Sequence, residues 1–207
     1  MTDFFALLGQ PRRPWLDPES IKTTFHALST QLHPDRTHGA PPGEREISQA
    51  RCAELNAAHQ KLREPRDRLL HLLELERGAP PADLQQLPSS VMDLFLQLGR
   101  LCRQIDEFLA ERAQVTAPML KVRFFQRALD WTDQVAARQK ELRDLQDTIH
   151  RELKELNGAW ETAPAPGDPT RPGHLPLDRL EQLYRLLSYV SRWTGQLQER
   201  FVQLSLL

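Results

Sequence analysis

His33-Pro34-Asp35 is the stretch whose residue types, side by side, offer chemistry to a partner. Asp35 supplies a carboxylate that can take a charge-assisted bond from an arginine. Pro34 fixes the local backbone. His33 can hydrogen-bond through either ring nitrogen and so orient the segment. Taken alone, the tripeptide is equally an ordinary helix end followed by proline, and its flanks must decide. No catalytic set accompanies it: the sequence has no Gly-rich phosphate loop, no HExxH and no paired-cysteine ligand spacing. His71, His150 and His174 are scattered, so no metal or other cofactor is expected, and an enzyme is the least expected class.

The 207 residues allow one or two domains, and 40% hydrophobic with 27% charged residues is a composition that folds. A net charge of -1 gives no basic field, so no nucleic-acid partner is expected. Leu, Gln, Glu and Arg are plentiful and aromatics make up only 7%, which favours helix over strand. Cys52 and Cys102 fall on helical apolar faces and read as buried, inert thiols. No basic-then-apolar leader is visible, and no apolar run approaches the ~18 residues of a membrane span. A reducing cytoplasmic setting without membrane contact is the expectation.

The elements that must position the tripeptide follow from patterning. Phe4 to Leu8 reads as a short apolar helix stopped at Gly9 and Pro11, needing a surface to lie on. Asp17-Pro18-Glu19-Ser20 is a strong helix start. Ile21, Phe25, Leu28 and Leu32 then share one face, and Pro34 ends the helix near Leu32. After a Gly- and Pro-rich loop, a second amphipathic helix runs from about Glu44 to Leu62, with Cys52, Leu55, Ala58, His59 and Leu62 on one face. Asp67 to Leu75 adds a short helical segment.

Ala79-Pro80-Pro81 to Pro88 marks a boundary. From about Ser90, Leu94, Leu98, Leu101 and Ile105, with Phe95, Cys102 and Phe108, form a wide apolar stripe. Pro118 to Asn157 is one long helix or two. Gly158 to Pro176 holds five prolines and three glycines and reads as a flexible or extended connection. The last helix, Leu177 to about Leu206, keeps heptad spacing through Leu180, Leu183, Leu187, Val190, Thr194, Leu197, Phe201 and Leu204. The expected architecture is all-α: residues 1–78 as one domain, 79–89 as linker, and 90–207 as an antiparallel three-helix bundle with a Pro-rich insertion near 158–176.

The order of helix, capped helix, His-Pro-Asp and returning helix resembles the J-domain of DnaJ-type co-chaperones. The resemblance spans Phe4 to about Leu75. It rests on Phe4 to Gly9, His33-Pro34-Asp35-Arg36, and Leu55-Asn56-Ala57-Ala58-His59-Gln60-Lys61-Leu62 followed by Pro65 and Arg68. It implies binding to the ATP state of a seventy-kilodalton heat-shock chaperone, HscA- or DnaK-like, and stimulation of its ATP hydrolysis. Lys22, His33, Pro34, Asp35 and Arg36 are the implied chaperone-binding residues. Gln31 and Leu32 stand where the family usually has a lysine–aromatic pair, so weaker electrostatic steering is expected.

A J-domain followed directly by a helical bundle is similar to the HscB (Jac-type) family, co-chaperones of iron–sulfur cluster biogenesis. Leu94-Phe95-Leu96-Gln97-Leu98 resembles its Leu-Met-x-Gln-Leu segment, and Leu187 to Trp193 its Leu-x-Phe-Leu-x-Lys-Leu segment. The resemblance implies that Leu94, Phe95, Leu98 and Tyr189 bind an IscU-like cluster scaffold as client. Gly99, Arg100 and Arg103 replace acidic residues that follow the apolar cluster in that family. Two other readings stay open: a co-chaperone for another client in general protein folding, and a helical scaffold with an inactive J-like lobe.

Overall fold

The structure, a computed structural model, describes residues 1–32, 42–81 and 89–206. The described residues are helical and contain no strand. The helices are α1 (Phe4–Leu7), α2 (Pro18–Gln31), α3 (Pro42–Arg63), α4 (Pro65–Arg77), α5 (Ser89–Ala113), α6 (Pro118–Thr162), α7 (Arg171–His174) and α8 (Leu177–Ser205). They form two compact units: unit 1 is Met1–Asp83 with His150–Tyr184, and unit 2 is Leu84–Ile149 with Arg185–Leu207. Residues 150–184, placed with the C-terminal bundle on sequence grounds, thus lie in the unit that holds the N-terminal helices.

In unit 1, local chemistry starts and stops each helix. The Asp3 carboxylate caps α1, accepting from the N–H groups of Phe5 at 2.9 Å and Ala6 at 3.2 Å. Its other oxygen pairs with Arg12 at 2.8 Å. Asp17 caps α2 through the Ser20 N–H at 3.1 Å, and Pro18 takes the first helical position. Gly78 ends α4 at φ 74°, a left-handed conformation that glycine adopts without a Cβ penalty. Phe5, Leu8, Ala58, Leu62, Leu69, Leu72 and Leu73 have no exposed surface and make the centre of the unit.

Arg68 threads this centre. It is 1% exposed, and it donates to the carbonyls of Pro14 at 3.1 Å and Leu62 at 2.9 Å. Burial lowers its pKa to about 10. The adjoining Trp15 is bracketed by Asn157 on α6, which accepts from its N–H at 2.9 Å and donates to its carbonyl at 3.0 Å.

The stretch 158–176 differs from the loose link that its Pro and Gly content predicts. α6 continues through Gly158 to Thr162 because Leu153 and Trp160 are buried, at 0% and 5%, while Asn157 grips Trp15. Beyond it, Arg171 on α7 is 4% exposed and forks onto the Glu76 carboxylate on α4 at 2.8 and 2.9 Å. Arg77 of α4 in turn bonds Asp178 at 2.6 Å and also meets Glu181.

Unit 2 takes α5, the part of α6 up to Ile149 and the part of α8 from Arg185. Phe95 meets Tyr189 and Trp193, and Arg200 bonds Asp106 at 2.6 Å, so α5 and α8 run parallel. Phe108 meets Phe124 and Trp131, and Leu101 lines one groove with Ala137 and Arg138 farther along α6, so α6 runs against α5. Residues 118–157 belong to one helix, since Val135 and Leu142 keep the buried face continuous through the weakly patterned middle. The expected α8 seam holds except at Thr194, which is exposed; half-buried Trp193 lies over Gly99 instead, 3.6 Å from where a Cβ would stand.

Candidate functional site

The tripeptide and Arg36 lie outside the described residues, but their attachment points do not. α2 stops at Gln31, α3 starts at Pro42, and the segment carrying His33-Pro34-Asp35 joins them. Leu32, the residue before His33, is clamped on both sides of its peptide. Its N–H bonds the Leu28 carbonyl at 3.1 Å. Its carbonyl accepts from the Cys52 thiol at 3.0 Å and the Ser48 hydroxyl at 3.4 Å. Cys52 is therefore half-buried rather than buried as expected, and its thiol is bonded, because α3 presents it to the last turn of α2. Ser48 and Cys52 are four apart, which puts both on one face of α3.

Behind this clamp the two helices touch through Phe25 and His59, stacked at 4.0 Å and 14°. Desolvation holds His59 below its ordinary pKa, assisted by Arg63 and His26. Lys22 is exposed on α2 and reaches Glu19 at 3.8 Å, a solvated pair of little energetic weight. At the far end, α1 is seated by His71, whose Nε2 accepts the Phe4 N–H at 3.1 Å. Burial lowers the His71 pKa, with Asp3 opposing and Lys61 and Arg12 reinforcing.

The second candidate cluster lies in unit 2. Phe95 on α5 stacks on Tyr189 at 5.6 Å and Trp193 at 6.5 Å, so residues 94 apart in sequence form one aromatic group. Leu98 has no exposed surface and Phe95 keeps 6%; both are core. Leu94 and Tyr189 are half-buried and reach the surface. Met92 and Leu96, at 40% and 53% exposure, present the apolar surface that sequence reading missed. Their signal was an i, i+4 pair on the solvent side of the same helix. Arg100 and Arg103 are exposed beyond them. Cys102 is buried, and desolvation raises its thiol pKa. Among the described residues no group of His, Cys, Asp and Glu could hold a metal ion, and no helix is long and apolar enough to cross a membrane.

No protein-family model matches the chain. It is similar to the co-chaperone protein HscB homolog of Aromatoleum aromaticum, 38% identical over 73 residues, covering 35% of this chain and 41% of that protein. The homolog of the same name in Bordetella petrii is 35% identical over 91 residues, covering 44% of this chain and 51% of its own length. The matched stretches thus span about half, or less, of the curated relatives. Among solved structures, chaperone HscB from Vibrio cholerae matches with TM-score 0.59 at 18% identity, covering 100% of both chains. Human co-chaperone protein HscB matches with TM-score 0.53 at 20% identity, over 97% of this chain and 81% of that one. This chain is thus similar in sequence, over part of its length, to curated HscB co-chaperone homologs, and along its length it shares the fold of two solved HscB structures.

Proposed function

We propose that the protein is a co-chaperone, not an enzyme. It binds a heat-shock chaperone of the seventy-kilodalton class, HscA- or DnaK-like, and stimulates its ATP hydrolysis. The N-terminal region, residues 1–78, acts as the J-domain. Its contact surface is His33, Pro34, Asp35 and Arg36, with Lys22 on the adjoining helix. The observation that carries this reading is the α2–α3 pair, with Leu32 clamped by Ser48 and Cys52 at the point where the His-Pro-Asp segment leaves α2. A fixed attachment lowers the entropy lost when such a segment meets its partner.

The C-terminal region, residues 90–207, presents the client, an IscU-like iron–sulfur scaffold. Leu94 and Tyr189 make the contact, with Phe95 and Leu98 supporting them from beneath and Met92 and Leu96 widening the apolar patch. The cytoplasm, where chaperone and scaffold would both be met, is the proposed location. Steady-state ATPase assays with the chaperone, with and without scaffold, test the whole reading. The expected results are stimulation by the parent chain, its loss in Asp35→Asn, and further synergy with scaffold that Tyr189→Ala weakens. Equal stimulation by Asp35→Asn would remove the J-domain reading, and absence of scaffold binding would remove the client.

A further inference from the structure

Of the side chains of α2 only Ile21, in its first turn, is buried. The half that leads to the His-Pro-Asp segment has no such anchor: Phe25, Leu28, Ser29 and Leu32 are half-buried, and His26, Ala27, Thr30 and Gln31 are exposed. Two contacts tie this half to α3. Phe25 stacks on His59, and the Leu32 carbonyl accepts from Cys52 and Ser48. They stand seven residues apart on both helices, 25 to 32 and 52 to 59, so they share one antiparallel register. Two turns, about 10 Å, separate them. A helix end held at so few points opens at the low end of the stability range.

The first of these contacts can take up a proton. The His59 ring lies 4.0 Å from that of Phe25 and nearly parallel to it. The charged and titratable groups that act on it are Arg63, one turn on in α3, and His26 on α2, whose own ring is 5.7 Å from Phe25. Arg63 reaches Glu64 at 3.2 Å, and Lys22, one turn before His26, reaches Glu19 at 3.8 Å. Among the described residues no carboxylate offsets the basic groups at His59 itself. The face of the Phe25 ring attracts an imidazolium. Desolvation and the two basic neighbours oppose it and prevail, for His59 is held below its ordinary pKa.

We propose that the Phe25–His59 contact is a proton-sensitive latch: neutral His59 holds the second half of α2 on α3, and a proton on His59 releases it. His59 is thereby a positioning residue, acting through α2 on the point where the His-Pro-Asp segment departs. The effect on a chaperone rests on the co-chaperone reading; the latch itself does not. The folded pKa of His59 lies below the unfolded one. The contact therefore contributes its full stability above about 6.5 and loses it as pH falls toward the folded value.

The test follows amide exchange at Leu28 to Leu32 in the full chain, as protection relative to the intrinsic rate at each pH. The range is about pH 7.5 to about 5.5, across the ordinary histidine window. Protection should fall several-fold in the parent chain. His59→Phe, which keeps a ring on Phe25 without a titrating nitrogen, should lose most of that fall. His71→Phe should retain it, which separates the latch from the seat of α1. Should His59→Phe unfold, His59→Tyr supplies a ring that stays neutral over the same range. No fall in the parent, or an equal fall in the parent and the ring variants, overturns the proposal.

A second readout is the ATPase of a seventy-kilodalton heat-shock chaperone, stimulated by sub-saturating parent chain or His59→Phe over the same range. The ratio of the two stimulated rates, parent over variant, cancels the chaperone's own pH dependence. It should drop as pH falls. A constant ratio, with exchange responding as expected, overturns the positioning role of His59. No stimulation by either chain at any pH removes the co-chaperone reading instead, and the exchange result alone then decides the latch.

Discussion

Arg68, His71, Glu76, Arg171 and Glu181 are the buried polar and charged residues of the described chain, and all five lie in unit 1; the buried residues of unit 2 are apolar. Helix length accounts for the division. Unit 2 is made from long helices whose stripes of Leu98, Ile105, Leu142 and Leu197 repeat over many turns and specify register by packing. Unit 1 has one comparably long helix of its own, α3 with 22 residues, and otherwise shorter pieces, two of only four residues, which cannot form long stripes. There, directional bonds fix what apolar area alone leaves undetermined. The comparison teaches that a small lobe can gain definition from buried polar clips, at the risk that losing one partner is severe.

The largest expected effect tests that risk. Glu76→Ala should destabilise unit 1 by about 3–5 kcal/mol, because it leaves Arg171 buried without its carboxylate. Replacing both, Glu76→Leu with Arg171→Met, should recover most of the loss in denaturant unfolding. If Glu76→Ala unfolds like the parent, the contrast between the units fails. Leu98→Ala should cost about 2–5 kcal/mol by opening a cavity in unit 2. Hydrogen exchange should then show unit 2 opening first in that variant and unit 1 first in Glu76→Ala.

A smaller effect comes from pH. His71 is held below its ordinary value of 6.5, chiefly by burial. Its folded pKa lies below the unfolded one, so the stability it contributes is full above about 6.5 and is lost as pH falls toward the folded value. The proton would also displace the Phe4 N–H from Nε2. The protection of the Phe4 amide against exchange, relative to its intrinsic rate at each pH, should therefore fall as pH falls through this window, and His71→Phe should remove that dependence. The smallest effect is at the clamp: Cys52→Ala should cost less than about 1 kcal/mol and loosen the last turn of α2, while Cys52→Ser, which keeps a donor, should not.

The helices were legible where one local signal sufficed. Asp17-Pro18 announced α2, and the leucines of α5 and α8 announced their buried faces. The resemblance to HscB also rested on local strings, and the comparisons agree with it. What failed to show were bonds between distant positions. Nothing near Arg171 reveals Glu76, so Pro and Gly content alone made the insertion look loose. The Cys52 thiol's bond could not be read because the Leu32 carbonyl it meets is 20 residues away. The cluster at Leu94 to Leu98 posed another difficulty: core and contact surface share the same spacing, and only burial separated Phe95 and Leu98 from Met92 and Leu96.

The separation between Glu76 and Arg171 also sets a clock. The two are 95 residues apart. At ribosomal speeds of roughly 5–20 residues per second, Glu76 is made about 5–19 s before its partner. α1 to α4 can associate during that interval through their own contacts, but unit 1 cannot close until α7 has been translated. Its maturation is thus tied to synthesis through α7, and a nascent chain stalled inside α6 would carry Glu76 without the arginine that neutralises it.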